Sequence, residues 1–222
     1  MGHLHRRLIA FDLDGTLVDS RQDLADSANE LIVERGGLAL PTEAIVAMVG
    51  EGAGVLVGRA LAAAGLPDAP GVLQRFLTIY DSRLLNHTVL YPGIRDLLVA
   101  AQSCATVAVL TNKPAVPSER ILVGLGVRNL IGHVIGGDGP HPRKPDPAGL
   151  LALMQMAGAS PAATMLVGDS PVDRQTARGA GASCCVVTYG FGRDLAARGP
   201  HEWMADDADE VQAVVRRFAE IT

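Results

Sequence analysis

The chain of 222 residues has three cysteines, very few lysines and no apolar run long enough to cross a bilayer. The cysteines, Cys104, Cys184 and Cys185, are odd in number and lie in apolar, strand-like surroundings, which is typical of reduced, buried thiols in the cytoplasm. The further Cys or His ligands that a zinc site needs are missing around them. The first residues show no secretory pattern. No basic cluster exceeds two residues and the net charge is −5, so neither nucleic acid nor a membrane is an expected partner.

Lysine is the scarcest charged residue. Of 19 basic residues only Lys113 and Lys144 are lysines, and the other 17 are arginines. Lysine is a compact point charge, whereas arginine is a wide planar fork. The two lysines therefore indicate places where a guanidinium does not fit. The alternative is that these two positions have kept lysine by chance.

Short apolar strands alternate with amphipathic helices along most of the chain. The expected strands are 8–11, 107–110, 134–135, 165–167 and 184–187. The expected helices are 94–101, 118–125 with Ser118 as N-cap, 148–157, 173–180 and 209–218. This alternation predicts an α/β fold with a doubly wound parallel sheet. The polar clusters follow strands, so they converge on one edge of that sheet.

Residues 20–86 interrupt the alternation, since they contain no strand-like run. They read as four helices, 22–35, 42–49, 55–64 and 72–85. We therefore expect a core made of 1–19 and 87–222, with a small helical cap of 20–86 inserted after the first strand. Gly50 to Gly54 is either part of a cap hinge or substrate loop or a plain helix ending, and no Gly-Lys-Ser/Thr follows it as a nucleotide loop would require.

Two carboxylates, Asp12 and Asp14, end the first strand and precede Gly15 and Thr16. One pleat apart, they start on the same side of the strand. Close carboxylates repel unless one keeps its proton or a divalent cation lies between them. One could then act as a nucleophile and the other as a general acid. The alternative is an ordinary Asp-Gly turn.

Later strand ends carry further polar groups. Thr111 and Asn112 offer a hydroxyl and an amide that suit a phosphoryl oxygen, although a turn explains them as well. Lys144 lies among prolines that stiffen its loop. Asp169 follows a strand, and oxygen ligands of this kind suit Mg²⁺. Asp173 begins a helix, where a capping role is the alternative.

The string from Leu8 to Asp19 closely resembles the opening motif of the haloacid dehalogenase-like hydrolase superfamily. The segments 111–112, 143–147 and 168–173 match its second, third and fourth motifs in order. The resemblance implies a Rossmann-like core, a phosphorylated nucleophile Asp12 and an acid/base Asp14. It implies Mg²⁺ held by the side chains of Asp12 and Asp169 and the backbone carbonyl of Asp14. Residues expected around these groups are Lys144 for catalysis and substrate, Thr16, Thr111, Asn112 and Lys113 for substrate, and Asp173 and Ser170 supporting the metal ligands.

Three fragments, 111–114, 136–138 and 49–53, look like those of bacterial phosphoglycolate phosphatases, although Gly139-Pro140-His141 departs from that pattern. The implied function is a cytoplasmic, Mg²⁺-dependent phosphomonoester hydrolase for a small phosphorylated metabolite, active as a monomer or homodimer. For 2-phosphoglycolate, Lys113 is the best-placed cation for the carboxylate, with Arg59 weaker.

Other functions stay open at this point. A phosphatase for another small phosphomonoester or a phosphosugar mutase would share the fold, and the mutase would need a diphosphate for turnover. A phospho-accepting signalling module also combines acidic residues, Thr and Lys on a parallel sheet. Such modules are about half this length, have no helical insertion after the first strand, and would gain nothing from an acid/base such as Asp14.

Overall fold

The computed structural model describes residues 7–192 and 201–221. The strands within this part are β1 (Leu8–Phe11), β2 (Val18–Asp19), β3 (Val89–Leu90), β4 (Thr106–Leu110), β5 (His133–Ile135), β6 (Thr164–Gly168), β7 (Ser183–Val187) and β8 (Glu202–Ala205). The α-helices are α1 (Arg21–Glu34), α2 (Thr42–Val46), α3 (Ala53–Ala63), α4 (Val72–Asp81), α5 (Ile94–Gln102), α6 (Ala115–Gly124), α7 (Ala148–Ala157), α8 (Pro171–Gly179) and α9 (Ala208–Ile221). Two short 3₁₀ helices, 128–130 and 161–163, complete the set. The first residues of the chain, where no secretory pattern was expected, lie outside the described part.

Six strands form one parallel sheet in the order β5-β4-β1-β6-β7-β8. Leu8 pairs with Thr106 on one side and with Thr164 on the other. The chain therefore adds β4 and β5 on one side of β1 and later adds β6, β7 and β8 on the other side. A sheet of this kind binds ligands beyond the carboxyl ends of its strands at such a switch point. The predicted α/β doubly wound, parallel fold is confirmed.

The sheet carries a hydrophobic core on each face, because side chains alternate along buried strands. Ile9 and Phe11 pack with α5 and α9, whereas Leu8 and Ala10 pack with α7 and α8. Cys184 and Cys185 follow the same rule and enter opposite cores as free thiols, as expected. Cys104 differs from the expectation of a strand-like, buried site, since it follows α5 and is only half-buried.

Four helices, α1 to α4, lie between β2 and β3, where the sequence predicts a helical insertion. They pack around α1. β2 and β3 form a separate antiparallel ladder in which Asp19 pairs with Val89. The buried carboxylate of Asp23 joins the two ends of the insertion, since it accepts hydrogen bonds from the backbone of His87 and Thr88 and from the Thr88 hydroxyl. The division of the chain into a core and a cap at residues 20 and 86 stays a prediction.

Several element ends differ from the prediction. α6 begins at Ala115, not at Ser118, and the Ser118 hydroxyl donates to the Pro114 carbonyl instead of capping the helix. Pro117 conceals this start in the sequence, yet a proline is tolerated in the first turn because its missing N–H has no partner there. α2 and α4 end three and four residues early, at Val46 and Asp81. The two-residue strands β2 and β3 are too short to leave a periodic signal, and β8 was also not predicted. In the described part, no helix combines the length and apolar character needed to cross a membrane.

Candidate active site

Three aspartates meet beyond the carboxyl ends of β1 and β6. Asp12 directly follows β1, and its backbone N–H donates to the Val167 carbonyl of β6. Asp169 follows β6, and Asp173 lies in the first turn of α8. Each offers a carboxylate oxygen within 4.8 Å of the others, and all three residues are buried. The parallel pairing of β1 and β6 thus brings together residues more than 150 positions apart in sequence.

Burial and mutual repulsion dominate the electrostatics of this group. Burial raises the pKa of Asp12 to about 7, Lys144 opposes the shift, and Asp173 and Asp169 add to it. Burial and Asp173 likewise raise the pKa of Asp169 to about 6, against hydrogen bonds from two backbone N–H groups. Both shifts mean that the ionised forms are incompletely compensated by the protein itself.

Lys144 lies between two of these carboxylates. Its Nζ is 2.9 Å from Asp12 Oδ1 and 2.5 Å from Asp173 Oδ1, and the residue is 5% exposed. Burial alone would lower the pKa of Lys144, but the two carboxylates raise it overall, so the amine stays protonated. Lys144 therefore lies next to Asp12, as predicted, and its positive charge is shared between Asp12 and Asp173.

Asp14 points to a different set of partners. Lys113 Nζ lies 2.8 Å from both Asp14 oxygens, and the Ser20 hydroxyl donates to Asp14 Oδ1 at 2.6 Å. The ammonium also lies 4.6 Å from the centre of the Tyr80 ring, in a cation–π contact. Lys113 thus joins the core carboxylate Asp14 to helix α4 of the insertion. Arg59, by contrast, pairs with Glu51 and does not line the cavity described below.

The remaining candidates for substrate binding are Thr111 and Asn112, which line the cavity described below, and Thr16, which does not. Both N–H groups of the Asn112 side chain are used, since Nδ2 donates to the carbonyls of Gly50 and Lys144 at 2.9 Å. Asn112 thereby holds the Lys144 loop against the insertion, and a phosphoryl oxygen would have to displace one of these bonds. Thr111 Oγ1 accepts the Lys113 N–H. Thr16 is fully buried and its hydroxyl has no partner among the described residues.

Backbone amides fix Asp169 in place. Phe191 N and Gly192 N donate to Asp169 Oδ2 at 2.6 and 3.0 Å. Glycine is required for this approach, because a Cβ on Gly192 would lie 1.7 Å from the Asp169 carbonyl oxygen. One carboxylate oxygen is therefore held by the protein, while no hydrogen bond to the other comes from the residues that the structure describes.

Asp173 serves the helix as well as the acidic group. Ser170 and Asp173 form a reciprocal capping box at the start of α8. The Asp173 oxygen not engaged in the box, Oδ1, meets Lys144. The capping alternative and the supporting role that the sequence suggested for Asp173 are thus both compatible with its position.

A cavity of about 50 Å³ lies between the core and the insertion. The core contributes polar side chains to its wall, and the insertion contributes mainly apolar ones. The lining residues from the core are Asp12, Asp14, Thr111, Asn112, Lys113, Pro114 and Pro117, and those from the insertion are Leu24, Val49, Gly50, Gly52, Ala53, Leu56, Phe76, Leu77 and Tyr80. The arrangement suits a small ligand with one strongly charged end.

The sequence model of the haloacid dehalogenase-like hydrolases matches residues 9–187, a range that includes the four aspartates and both lysines of the site. The chain belongs to this family. The predicted membership of this superfamily is confirmed.

Individual members of the family resemble this hydrolase over most of its length. It is 42% identical over 197 residues to the phosphoglycolate phosphatase of Rhodospirillum rubrum, with 85% of this chain and 82% of that protein covered. It is 41% identical over 204 residues to the phosphoglycolate phosphatase of Pseudomonas putida, with 87% and 74% covered. A crystal structure of a predicted phosphoglycolate phosphatase from Haemophilus somnus superimposes with a TM-score of 0.88 at 30% identity, covering 96% of this chain and 99% of that one.

The site of the hydrolase fits a divalent cation by the chemistry of its donors. Four carboxylates, Asp12, Asp14, Asp169 and Asp173, face two ammonium groups, Lys113 and Lys144. When all are ionised, two negative charges remain, which one Mg²⁺ would balance. Clustered carboxylate oxygens are also the donors that Mg²⁺ prefers.

The sequence missed several groups of the hydrolase site. Ser20 and Tyr80 contact Asp14 and Lys113, and the amides of 191–192 hold Asp169. Ser20 had no signal beyond its place after the first motif. The glycines at 190 and 192 were the available sign of a close backbone approach.

Proposed function

We propose that this hydrolase cleaves small phosphomonoesters in a Mg²⁺-dependent reaction, with 2-phosphoglycolate as its substrate. The observation that carries the proposal is the cluster of Asp12, Asp169 and Asp173 around the Lys144 ammonium at the switch point of the sheet. The names of the relatives in Rhodospirillum rubrum and Pseudomonas putida support the choice of substrate. A cytoplasmic location and a monomeric or homodimeric state remain predictions.

The chemistry follows from the two carboxylates after β1. An Asp12 oxygen attacks phosphorus and forms an acyl phosphate, while the P–O bond to the leaving alcohol breaks and Asp14 gives that oxygen a proton. Water then attacks the same phosphorus and loses a proton to Asp14, which releases phosphate and restores both residues. Lys144 compensates the negative charge on Asp12 and on the transferring group.

The proposed metal ligands are the side chains of Asp12 and Asp169 and the backbone carbonyl of Asp14, with Asp173 and Ser170 supporting them. Bound Mg²⁺ would supply charge stabilisation to the phosphoryl oxygens. Asp169 is well suited to this role, because its Oδ2 is already fixed by two amides.

The substrate would extend from Asp12 into the cavity under the insertion. We assign phosphoryl contacts to Thr16, Thr111 and Asn112 and the carboxylate contact to Lys113, which lines the cavity. The insertion acts as a cap that excludes bulk water and large substrates. The small size of this cavity favours substrates with short carbon chains.

A phosphatase screen tests the proposal. The panel is 2-phosphoglycolate, p-nitrophenyl phosphate and a phosphosugar, each with Mg²⁺ and after exhaustive EDTA dialysis. We expect 2-phosphoglycolate to be preferred, EDTA to abolish turnover and Mg²⁺ to restore it. Asp12→Asn should be inactive, since an amide cannot attack phosphorus. Asp26→Asn is the matched control, because this half-buried carboxylate of α1 accepts from Gln22 and does not line the cavity. Full activity after EDTA dialysis would disprove the metal requirement, and a diphosphate requirement for turnover of the phosphosugar would indicate a mutase.

A further inference from the structure

One buried polar group of the cavity takes no part in the chemistry above. Tyr80 lies in α4 and is 3% exposed, and its hydroxyl has the Lys113 ammonium as a polar neighbour but donates to no acceptor among the described residues. Leaving a buried hydroxyl unpaired costs free energy, so such a group calls for an explanation. A ligand that supplies the missing acceptor is the simplest one, because Tyr80 lines the cavity.

Tyr80 is also distinctive among its neighbours. Of the residues that the insertion contributes to the described cavity wall, it alone has a polar side chain. The others are apolar or glycine, such as Leu56, Phe76 and Leu77. A directional contact between a cap side chain and a substrate therefore depends on this hydroxyl.

Lys113 stands beside it. Its ammonium lies 4.6 Å from the centre of the Tyr80 ring, and Lys113 lines the same cavity. Burial raises the pKa of Tyr80 to about 12, although the Lys113 charge opposes the shift, so the hydroxyl keeps its proton as a donor. One cation and one O–H donor next to each other form a pair that recognises a carboxylate.

We propose that Tyr80 is a specificity residue, whose hydroxyl donates to the carboxylate of the substrate while Lys113 pairs with the same group. The inference rests on the proposed function, and it adds that the selective contact comes from the cap. The carboxylate is then recognised only when α4 is seated over the core, so short phosphorylated acids are favoured over phosphate esters that end in an alkyl group.

Binding to an inactivated enzyme tests the proposal without turnover. Calorimetry compares 2-phosphoglycolate with ethyl phosphate in Asp12→Asn and in Asp12→Asn with Tyr80→Phe, at the same Mg²⁺ concentration. A hydrogen bond to a charged group has a typical strength that corresponds to a loss of about tenfold to a hundredfold in affinity. We expect that loss for 2-phosphoglycolate and a much smaller change for ethyl phosphate.

Tyr91→Phe in the same background is the matched control. It removes a hydroxyl that accepts from Arg21, and Tyr91 does not line the cavity. The ratio of the affinities for 2-phosphoglycolate and ethyl phosphate should therefore stay as it is in Asp12→Asn. The free energy of unfolding of Tyr80→Phe in urea should equal or exceed that of the parent, because the change removes a buried hydroxyl that donates to no acceptor among the described residues. The proposal would be overturned if Tyr80→Phe left the ratio of the affinities for 2-phosphoglycolate and ethyl phosphate unchanged, or if 2-phosphoglycolate did not bind at all.

Steady-state kinetics separate this result from the proposed function. In the otherwise wild-type enzyme, Tyr80→Phe should raise KM for 2-phosphoglycolate more than it lowers kcat. An enzyme that cleaves ethyl phosphate without preferring 2-phosphoglycolate overturns the carboxylate contact and leaves the phosphatase intact. An enzyme that binds 2-phosphoglycolate through Tyr80 but cleaves neither ester contradicts the proposed function and leaves the contact intact.

Discussion

Lys144 offers the sharpest test of the site, because its role in stability and its role in turnover can be separated. Its ammonium lies 2.9 Å from Asp12 Oδ1 and 2.5 Å from Asp173 Oδ1, in a buried setting. Lys144→Ala would leave both carboxylates without their shared cation. Removing one partner of a buried ion pair typically costs about 3–5 kcal/mol.

We therefore expect the free energy of unfolding of Lys144→Ala to fall by about 3–5 kcal/mol without metal. Saturating Mg²⁺ should recover part of the loss, because a cation bound only to the folded state stabilises it. Urea unfolding with and without Mg²⁺ measures both quantities. Arg143→Ala, a charge removal at an exposed position in the same loop, is the matched control and should change stability little.

Lys144→Arg should separate charge from shape. It keeps the positive charge, so it should lose less stability than Lys144→Ala. Its turnover should be nearly as low as that of Lys144→Ala, because the wider guanidinium would displace Asp12 or the ligands around it. Initial rates with saturating substrate and Mg²⁺ measure this. Kinetics close to wild type in Lys144→Arg would refute the argument from shape, and a stability loss below about 1 kcal/mol in Lys144→Ala would refute the electrostatic one.

Three further predictions concern separate parts of the molecule. Asp14→Asn should slow the cleavage of 2-phosphoglycolate more than the first step with p-nitrophenyl phosphate, whose leaving group needs little protonation; burst kinetics test this, and equal losses would speak against the acid role. Gly192→Ala should weaken Mn²⁺ binding in calorimetry by about tenfold to a hundredfold, because its Cβ would push the amides away from Asp169; unchanged affinity would contradict the idea that these amides position Asp169 for the metal. Gly58→Ala, inside α3 and with nothing within 4 Å of the new Cβ, should raise the free energy of unfolding by about 0.5–1 kcal/mol in urea and leave turnover unchanged.

The parts of the fold that sequence could predict are those with a local signal. β1 is four buried apolar residues followed by Asp12, so both the strand and the position of the aspartate at its end were predictable. The same holds for Asp169 after β6. Ser118 was assigned to the wrong place because the cap preference of serine outweighed a start concealed by Pro117.

The contacts that were not predicted join distant segments. The Lys113–Asp14 ion pair spans 99 positions, and the contact of Lys113 with Tyr80 crosses from core to insertion. Neither leaves a period or a spacing in the chain, since each depends on how two folded units meet. The scarcity of lysine pointed to Lys113 and Lys144 as functional positions, but it carried no information on which carboxylates they contact.

The β2–β3 ladder has a consequence for how such a molecule diversifies. Because Asp19 pairs with Val89 and Asp23 binds the backbone of residues 87 and 88, the two ends of the helical insertion are neighbours in space. Closing a longer or shorter segment between two fixed, adjacent ends changes the loop entropy only slowly with length. We therefore expect the insertion to be exchangeable for that of another family member at this ladder while β1 keeps its register with β4 and β6. Such chimaeras would carry over the substrate range of the donor and inherit the phosphoryl chemistry of the recipient.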